Sequence, residues 1–219
     1  MKRKWKLWMI AFVLFVMTDI MMQSNRAEAK KRTFTVSSKT IPCSSSYRQK
    51  PYYNKKTKQY YMINSYMRRL STTGGTLKLK KGTYKIPGTI YVPSNVKIVC
   101  ANGVKIKKTK ATGTKKVKST KFLFQMISEE KASGKQNTGK YAASKNASIQ
   151  GNGKVIFDMV NVNGATAVFV GHASVITVSG VRFRNKKGGS YIWIEGSKNI
   201  SVRQCVFERK KDVSGLKNR

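Results

Sequence analysis

A chain of 219 residues with 45 Lys and Arg against eight Asp and Glu carries a formal charge of +37. Three cysteines are too few and odd in number for a disulfide framework, and a single histidine rules out the common Cys/His metal sites. Such a charge implies attraction to polyanions, whether acidic polysaccharide, anionic cell-wall polymer, membrane surface or nucleic acid; a lysine bias that only keeps the surface soluble is the plainer alternative.

The amino terminus reads as an export signal. Lys2, Arg3, Lys4 and Lys6 form a positive segment, Leu7 to Met17 is an apolar core of eleven residues, and Ala27-Glu28-Ala29 is a small-residue cleavage pattern. That core falls well short of the roughly 20 apolar residues that span a bilayer. Residues 1–29 are therefore expected to be a secretory signal peptide, with membrane attachment only through an uncleaved segment. The mature chain keeps 40 basic and six acidic residues, a net charge of +34, over 190 positions, enough for one domain with a sizeable core. Export places the protein outside the cell or on the cell wall and sets nucleic acid aside as its natural partner.

Residues 30–57 form an N-terminal extension without clear periodicity. In "KQYYMINSYMRRL", residues 58–70, Tyr60, Ile63, Tyr66, Met67 and Leu70 share one helical stripe, with Arg68 and Arg69 off it. "STTGG" ends that helix, and short apolar-alternating runs follow. One phrase then recurs: Asn95-Val96-Lys97-Ile98, Asn146-Ala147-Ser148-Ile149, Val175-Ile176-Thr177-Val178 and Asn199-Ile200-Ser201-Val202. The last two copies stay in phase over 24 residues, so that Ile176, Val178, Val181 and Phe183 return as Ile200, Val202, Cys205 and Phe207; the step from Ala147 to Ile176 is 29. A period of this length built of short strands is the mark of a solenoid, in which each strand stacks on its equivalents above and below. The recurring Asn suits a turn corner, which also accounts for the N-x-S sequons at Asn146 and Asn199 without glycosylation. Cys100 and Cys205 sit in apolar strands as ordinary core thiols.

"GGTLKLKKGTYKIPGTIYVPSNVKIVCANGVKI", "GNGKVIFD" and "SKNISVRQCVF" together resemble the N-terminal part of the pectate-lyase-like, right-handed parallel β-helix superfamily, which includes polygalacturonases and pectate lyases. The resemblance implies an all-β parallel β-helix domain over residues 58–208. It would have a short N-terminal capping helix, an uncapped C-terminal end and a basic tail at 209–219. It also implies a polysaccharide lyase or glycoside hydrolase acting on a pectin-type substrate. The chemistry does not follow as readily. Hydrolases of the superfamily cluster aspartates beside a His and a basic residue, whereas the coils here offer Asp158, Glu195 and Glu208, each alone. Its lyases hold calcium with several carboxylates, which six acidic residues scattered over the mature chain do not supply. Asp158 stands where the family has a structural turn acid, and His172 lacks the Gly that follows the hydrolase histidine. Ser190-Tyr191-Ile192-Trp193 stands where secreted relatives carry His-x-Ile-Glu, and the chain ends before their next acidic strand. A truncated solenoid is the expectation, with no identifiable catalytic residue, no cofactor and no metal.

Binding remains. Lys105 to Lys121 holds eight lysines among Thr, Ser and Gly, a loop leaving the solenoid wall. Lys107, Lys108, Lys110, Lys115, Lys116 and Lys118 are candidate polyanion-binding residues, each a mobile point charge. Tyr191 and Trp193 point outward if Ile192 and Ile194 point inward, and are candidates for stacking on sugar rings. The function expected is a secreted protein that binds an acidic polysaccharide or anionic cell-wall polymer. Its last rung, open to a second strand, is a candidate for self-association.

Overall fold

The short alternating runs become short strands, and every strand pair is parallel. The computed structural model describes residues 32–134 and 138–208. Residues 1–29, expected to be an export signal, and the basic tail at 209–219 lie outside the described residues. One sheet contains β1 (Arg32–Val36), β2 (Gly75–Leu79), β5 (Val96–Cys100), β8 (Lys145–Gly151), β11 (Ser174–Ser179) and β14 (Lys198–Arg203), in that order. A second contains β3 (Gly82–Ile86), β6 (Val104–Lys108), β9 (Ile156–Asp158), β12 (Arg182–Arg184) and β15 (Val206–Phe207). The third contains β4 (Ile90–Tyr91), β7 (Phe122–Gln125), β10 (Thr166–Gly171) and β13 (Ile192–Glu195). From β2 onward the chain takes one strand in each sheet in turn and then starts again, an order consistent with a parallel β-helix.

The register is the sequence period made physical. Ile176 pairs with Ile200 and Val178 with Val202 across 24 residues, while Ala147 pairs with Ile176 across 29. Side chains of one phase therefore stack into ladders. Leu77, Ile98, Ile149 and Val178 follow one another across the first sheet, and all four are fully buried. Phe157 and Phe183 repeat the device in the second sheet with ring centroids 5.5 Å apart. Among the described residues the helices are short α1 (Ser45–Arg48), α2 (Lys58–Leu70) and one-turn α3 (Glu129–Ala132). The α2 stripe read from the sequence faces the core: Ile63, Met67 and Leu70 are buried, Tyr60 and Tyr66 pack partly against them, and the helix lies against β2, β3 and β4.

At the start of the repeated phrase the backbone turns left-handed. Asn95, Asn146 and Asn199 have φ of +60°, +55° and +56°, and the Asn146 amide donates to Asn95 Oδ1 at 3.2 Å. Asn tolerates this conformation because its short polar side chain bonds locally. Val175 occupies the equivalent corner at φ +56° and is 43% exposed, so a β-branched residue stands there without packing to hold it. Left-handed placement of such a side chain costs roughly 1–2 kcal/mol. Val175→Asn is expected to stabilise the fold by about 1 kcal/mol, raising the thermal midpoint by about 2–4 °C. An unchanged or lower midpoint would show that the corner carries no strain.

Candidate polyanion-binding groove

Strand alternation builds the floor of the groove. In β6, Val104 and Ile106 are buried, which turns Lys105 and Lys107 outward, and Lys107 is the register partner of Lys85 on β3. After β6 the chain departs into the lysine loop and returns at Phe122. The N-terminal extension supplies the opposite wall, fixed by Asn54. The Asn54 amide donates to the Thr112 carbonyl at 2.9 Å, and its Oδ1 accepts from the Lys56 N–H at 2.8 Å. Lys55, Lys56, Lys85, Lys107 and Lys110, with Thr109 and Asn161, then line a groove of about 690 Å³. Among the described residues, no carboxylate is part of that lining. Five ammonium groups around one concavity repel one another and raise the local positive potential, an arrangement relieved by a polyanion.

Two of the six lysines expected to bind, Lys107 and Lys110, line the groove. Lys115, Lys116 and Lys118 are exposed on the loop, outside the lining. Lys108 is a correction: it is fully buried, not a mobile surface charge. Its Nζ lies within hydrogen-bond reach of the carbonyls of Pro87 (3.0 Å), Gly88 (2.6 Å) and Phe122 (2.7 Å) and of Thr120 Oγ1 (3.0 Å), four acceptors that share its N–H donors. Burial pushes this amine down to about 7. The contacts to Thr120 and Phe122 close the neck of the lysine loop, so Lys108 shapes the site from within.

Tyr191 is a second correction. Only Trp193 of the aromatic pair faces outward, 46% exposed; Tyr191 is buried beside the stacked rings of Phe183 and Phe207, at centroid distances of 5.8 and 6.0 Å. The Tyr191 hydroxyl donates to the Glu208 carbonyl and accepts from the Lys186 N–H. Tyr191 precedes β13, so the alternation that governs the strand does not govern it. Trp193 continues an outer aromatic row with Phe169 and Phe122, at 5.2 and 6.3 Å.

Asp158 is buried beside the groove wall. Its Oδ2 meets Lys105 Nζ at 3.2 Å and Arg184 Nη2 at 3.4 Å, and its Oδ1 accepts from the Asn185 amide at 3.0 Å. Burial pushes the carboxyl up, but the donors from Asn185, Lys105 and the Val160 N–H outweigh it and hold the group below its ordinary value. An ionised carboxylate fastened to β6 and β12 is a structural clamp. His172 sits at a corner with φ +50°, its Nδ1 3.2 Å from the Lys140 carbonyl. Among the described residues, no three His, Cys, Asp or Glu side chains gather into a metal-holding group.

No protein-family model matches the chain, and neither does any curated protein or solved structure. The site therefore has to be judged on its own chemistry. Lys55, Lys56, Lys85 and Asn161 were not singled out from the sequence. Lys85 was accessible to it, since "YKI" at 84–86 alternates in step with "IKK" at 106–108. The other three reach the groove through contacts distant in sequence, which no local pattern encodes.

Proposed function

We propose that the protein is a secreted, right-handed parallel β-helix of the pectate-lyase-like type, with α2 covering the N-terminal end of the solenoid. It binds an acidic polysaccharide or another anionic cell-wall polymer in the lysine groove, without turnover. The observation that carries this reading is the convergence of five lysines, with no carboxylate in the lining among the described residues, on one groove of about 690 Å³. The commitment of Asp158 to Lys105, Arg184 and Asn185 supports binding over catalysis, because a general acid or base needs a free proton site. The outward Trp193 offers a flat apolar face to a sugar ring.

Titration with polygalacturonate and with dextran, at low and at physiological salt, tests the proposal. Exposed lysines act through screened attraction with a Debye length of about 8 Å at physiological ionic strength, so binding should weaken steeply as salt rises. The variant K85Q/K107Q/K110Q should lose about tenfold or more in affinity at low salt, a change of about 1.4 kcal/mol. Equal binding of dextran, or an unchanged affinity in the variant, would remove the groove as the binding site.

A further inference from the structure

A second basic concavity, built from different elements and a different cation, has no role in polymer binding as argued above. It is a pocket of about 390 Å³ lined by Arg32, Arg68 and Arg69 together with Tyr47 and the hydroxyls of Ser44 and Ser46. Arg68 and Arg69 occupy the last turn of α2, on the face turned away from its buried stripe. Arg32 opens β1, where it is the register partner of Gly75, just beyond the end of α2. That approach requires glycine: φ at Gly75 is +128°, and a Cβ there would lie 2.1 Å from the Arg32 carbonyl oxygen. The third wall is held on α2 by Ser65, whose hydroxyl accepts from the Cys43 N–H at 3.0 Å and donates to the Met62 carbonyl at 2.7 Å. Glycine at 75 and serine at 65 thus bring three sequence-distant segments together around the arginines.

Among the described residues, none of the three guanidinium groups is paired with a carboxylate. The ion pairs among the described residues belong to Lys105, Arg182 and Arg184. Arg69 lies over the Phe34 ring at 5.6 Å, a contact to the face of the guanidinium that does not use its N–H edges. Arg68 interacts with the Tyr47 hydroxyl, and Glu129 and Glu130 are near enough to act on it electrostatically without forming an ion pair. The Ser44 and Ser46 hydroxyls are 2.8 Å apart. Two hydroxyls that share one hydrogen bond keep one proton to donate elsewhere.

We propose that this pocket binds a phosphoryl group. A guanidinium presents donors in a planar fork that fills two of the roughly four lone-pair sites of a carboxylate, so three forks around one cavity exceed what a carboxylate can accept. A phosphoryl group offers three or four oxygens and close to two negative charges, enough for two forks and a hydroxyl at once. The lysine groove, with point charges on flexible stems, makes no such geometric demand. The two sites are expected to differ in selectivity as well as position.

Calorimetric titration of the purified chain at constant ionic strength, with inorganic phosphate, glycerol phosphate and acetate in turn, tests this. The expected result is saturable binding of phosphate or its ester, about tenfold or more tighter than acetate. That binding should be lost in R32Q/R69Q and retained in K85Q/K107Q/K110Q. Preference for the ester would identify a phosphorylated polymer or metabolite as the ligand, and preference for inorganic phosphate the free anion. A thermal midpoint within a few degrees of wild type will show that R32Q/R69Q is folded. If that variant melts early, a phosphate-dependent rise in midpoint, present in wild type and absent in R69Q alone, carries the same information. Non-saturable binding, equal binding of acetate, or loss confined to the lysine variant would overturn the assignment.

Discussion

Replacing Lys108 with Met should destabilise the fold by about 2 kcal/mol, more than any surface lysine substitution. Met fills a similar volume and recovers the desolvation cost of a buried ammonium. It also removes the Nζ bonds to three carbonyls: Pro87 keeps the Thr120 N–H at 3.1 Å and Phe122 keeps the Thr89 and Thr120 hydroxyls at 3.2 Å, but the Gly88 carbonyl is left without a donor. An orphaned buried acceptor costs about 1–3 kcal/mol, and hydrogen bonds to a charged group are worth about 1.5–3 kcal/mol each, so the lost bonds outweigh the recovered desolvation. Thr120 and Phe122 lie where the lysine loop rejoins the wall, so the loop should loosen as well, and polymer affinity should fall although Lys108 touches no ligand. Denaturant unfolding with an unchanged slope and a lower midpoint would show the stability loss. A loss below about 1 kcal/mol would mean that the Gly88 carbonyl finds another donor when Lys108 is gone.

The same residue gives the protein a pH signature of definite sign. Burial holds the folded-state value at about 7, below the roughly 10.4 of a lysine in an unfolded chain. Between those two values the unfolded chain binds more protons than the folded one, so this group adds stability as pH rises through the window. Below the folded value both states are protonated and the group contributes no slope. The stability difference between wild type and Lys108→Met should therefore widen from about pH 7 to pH 10. A difference that stays flat or narrows would show that the carbonyls keep the ammonium charged against its burial.

Lys108 also marks where the sequence stops being legible. The phase of Val104 and Ile106 puts position 108 inward, yet a lysine in a run of lysines reads as surface, and only chain segments far away in sequence reveal the acceptors that admit it. Periodicity was readable because every round of the chain imposes the same in-and-out pattern, which is why the 24-residue phase from Ile176 to Ile200 is also the strand register. The corner residues were readable for the same reason, since left-handed backbone selects Asn. Tyr191 was misplaced because strand alternation was extended one residue beyond the strand. The groove was half readable: its floor follows from alternation, whereas its far wall depends on Asn54 meeting Thr112, 58 residues away. Sites assembled across such distances leave no local pattern.

The rung made by β13, β14 and β15 should be the point at which copies of the chain associate. Among the described residues, all three are edge strands of their sheets, with one side of each not paired to a further strand. The internal ladders show what that exposure means for side chains. Val178 is fully buried, and its partner Val202 is 39% exposed; Phe183 is fully buried, and its stacked partner Phe207 is 51% exposed. Ile194, an inward position by phase, is 46% exposed on the same rung. Fully burying a Phe side chain is worth about 1.5–3 kcal/mol, so covering the open half of Phe207 supplies about 1 kcal/mol of association free energy. Lys198 and Arg203 on the same rung oppose it by like-charge repulsion, which salt screens. Association should therefore strengthen as salt rises, opposite in sign to polymer binding, and the two processes can be separated by salt alone. Phe207→Lys should weaken association about tenfold, and hydrogen exchange should be fast at residues 200–207 and slow at 96–106. Sedimentation that shows a monomer at every salt concentration, with residues 200–207 protected as well as 96–106, would rule the rung out as an interface.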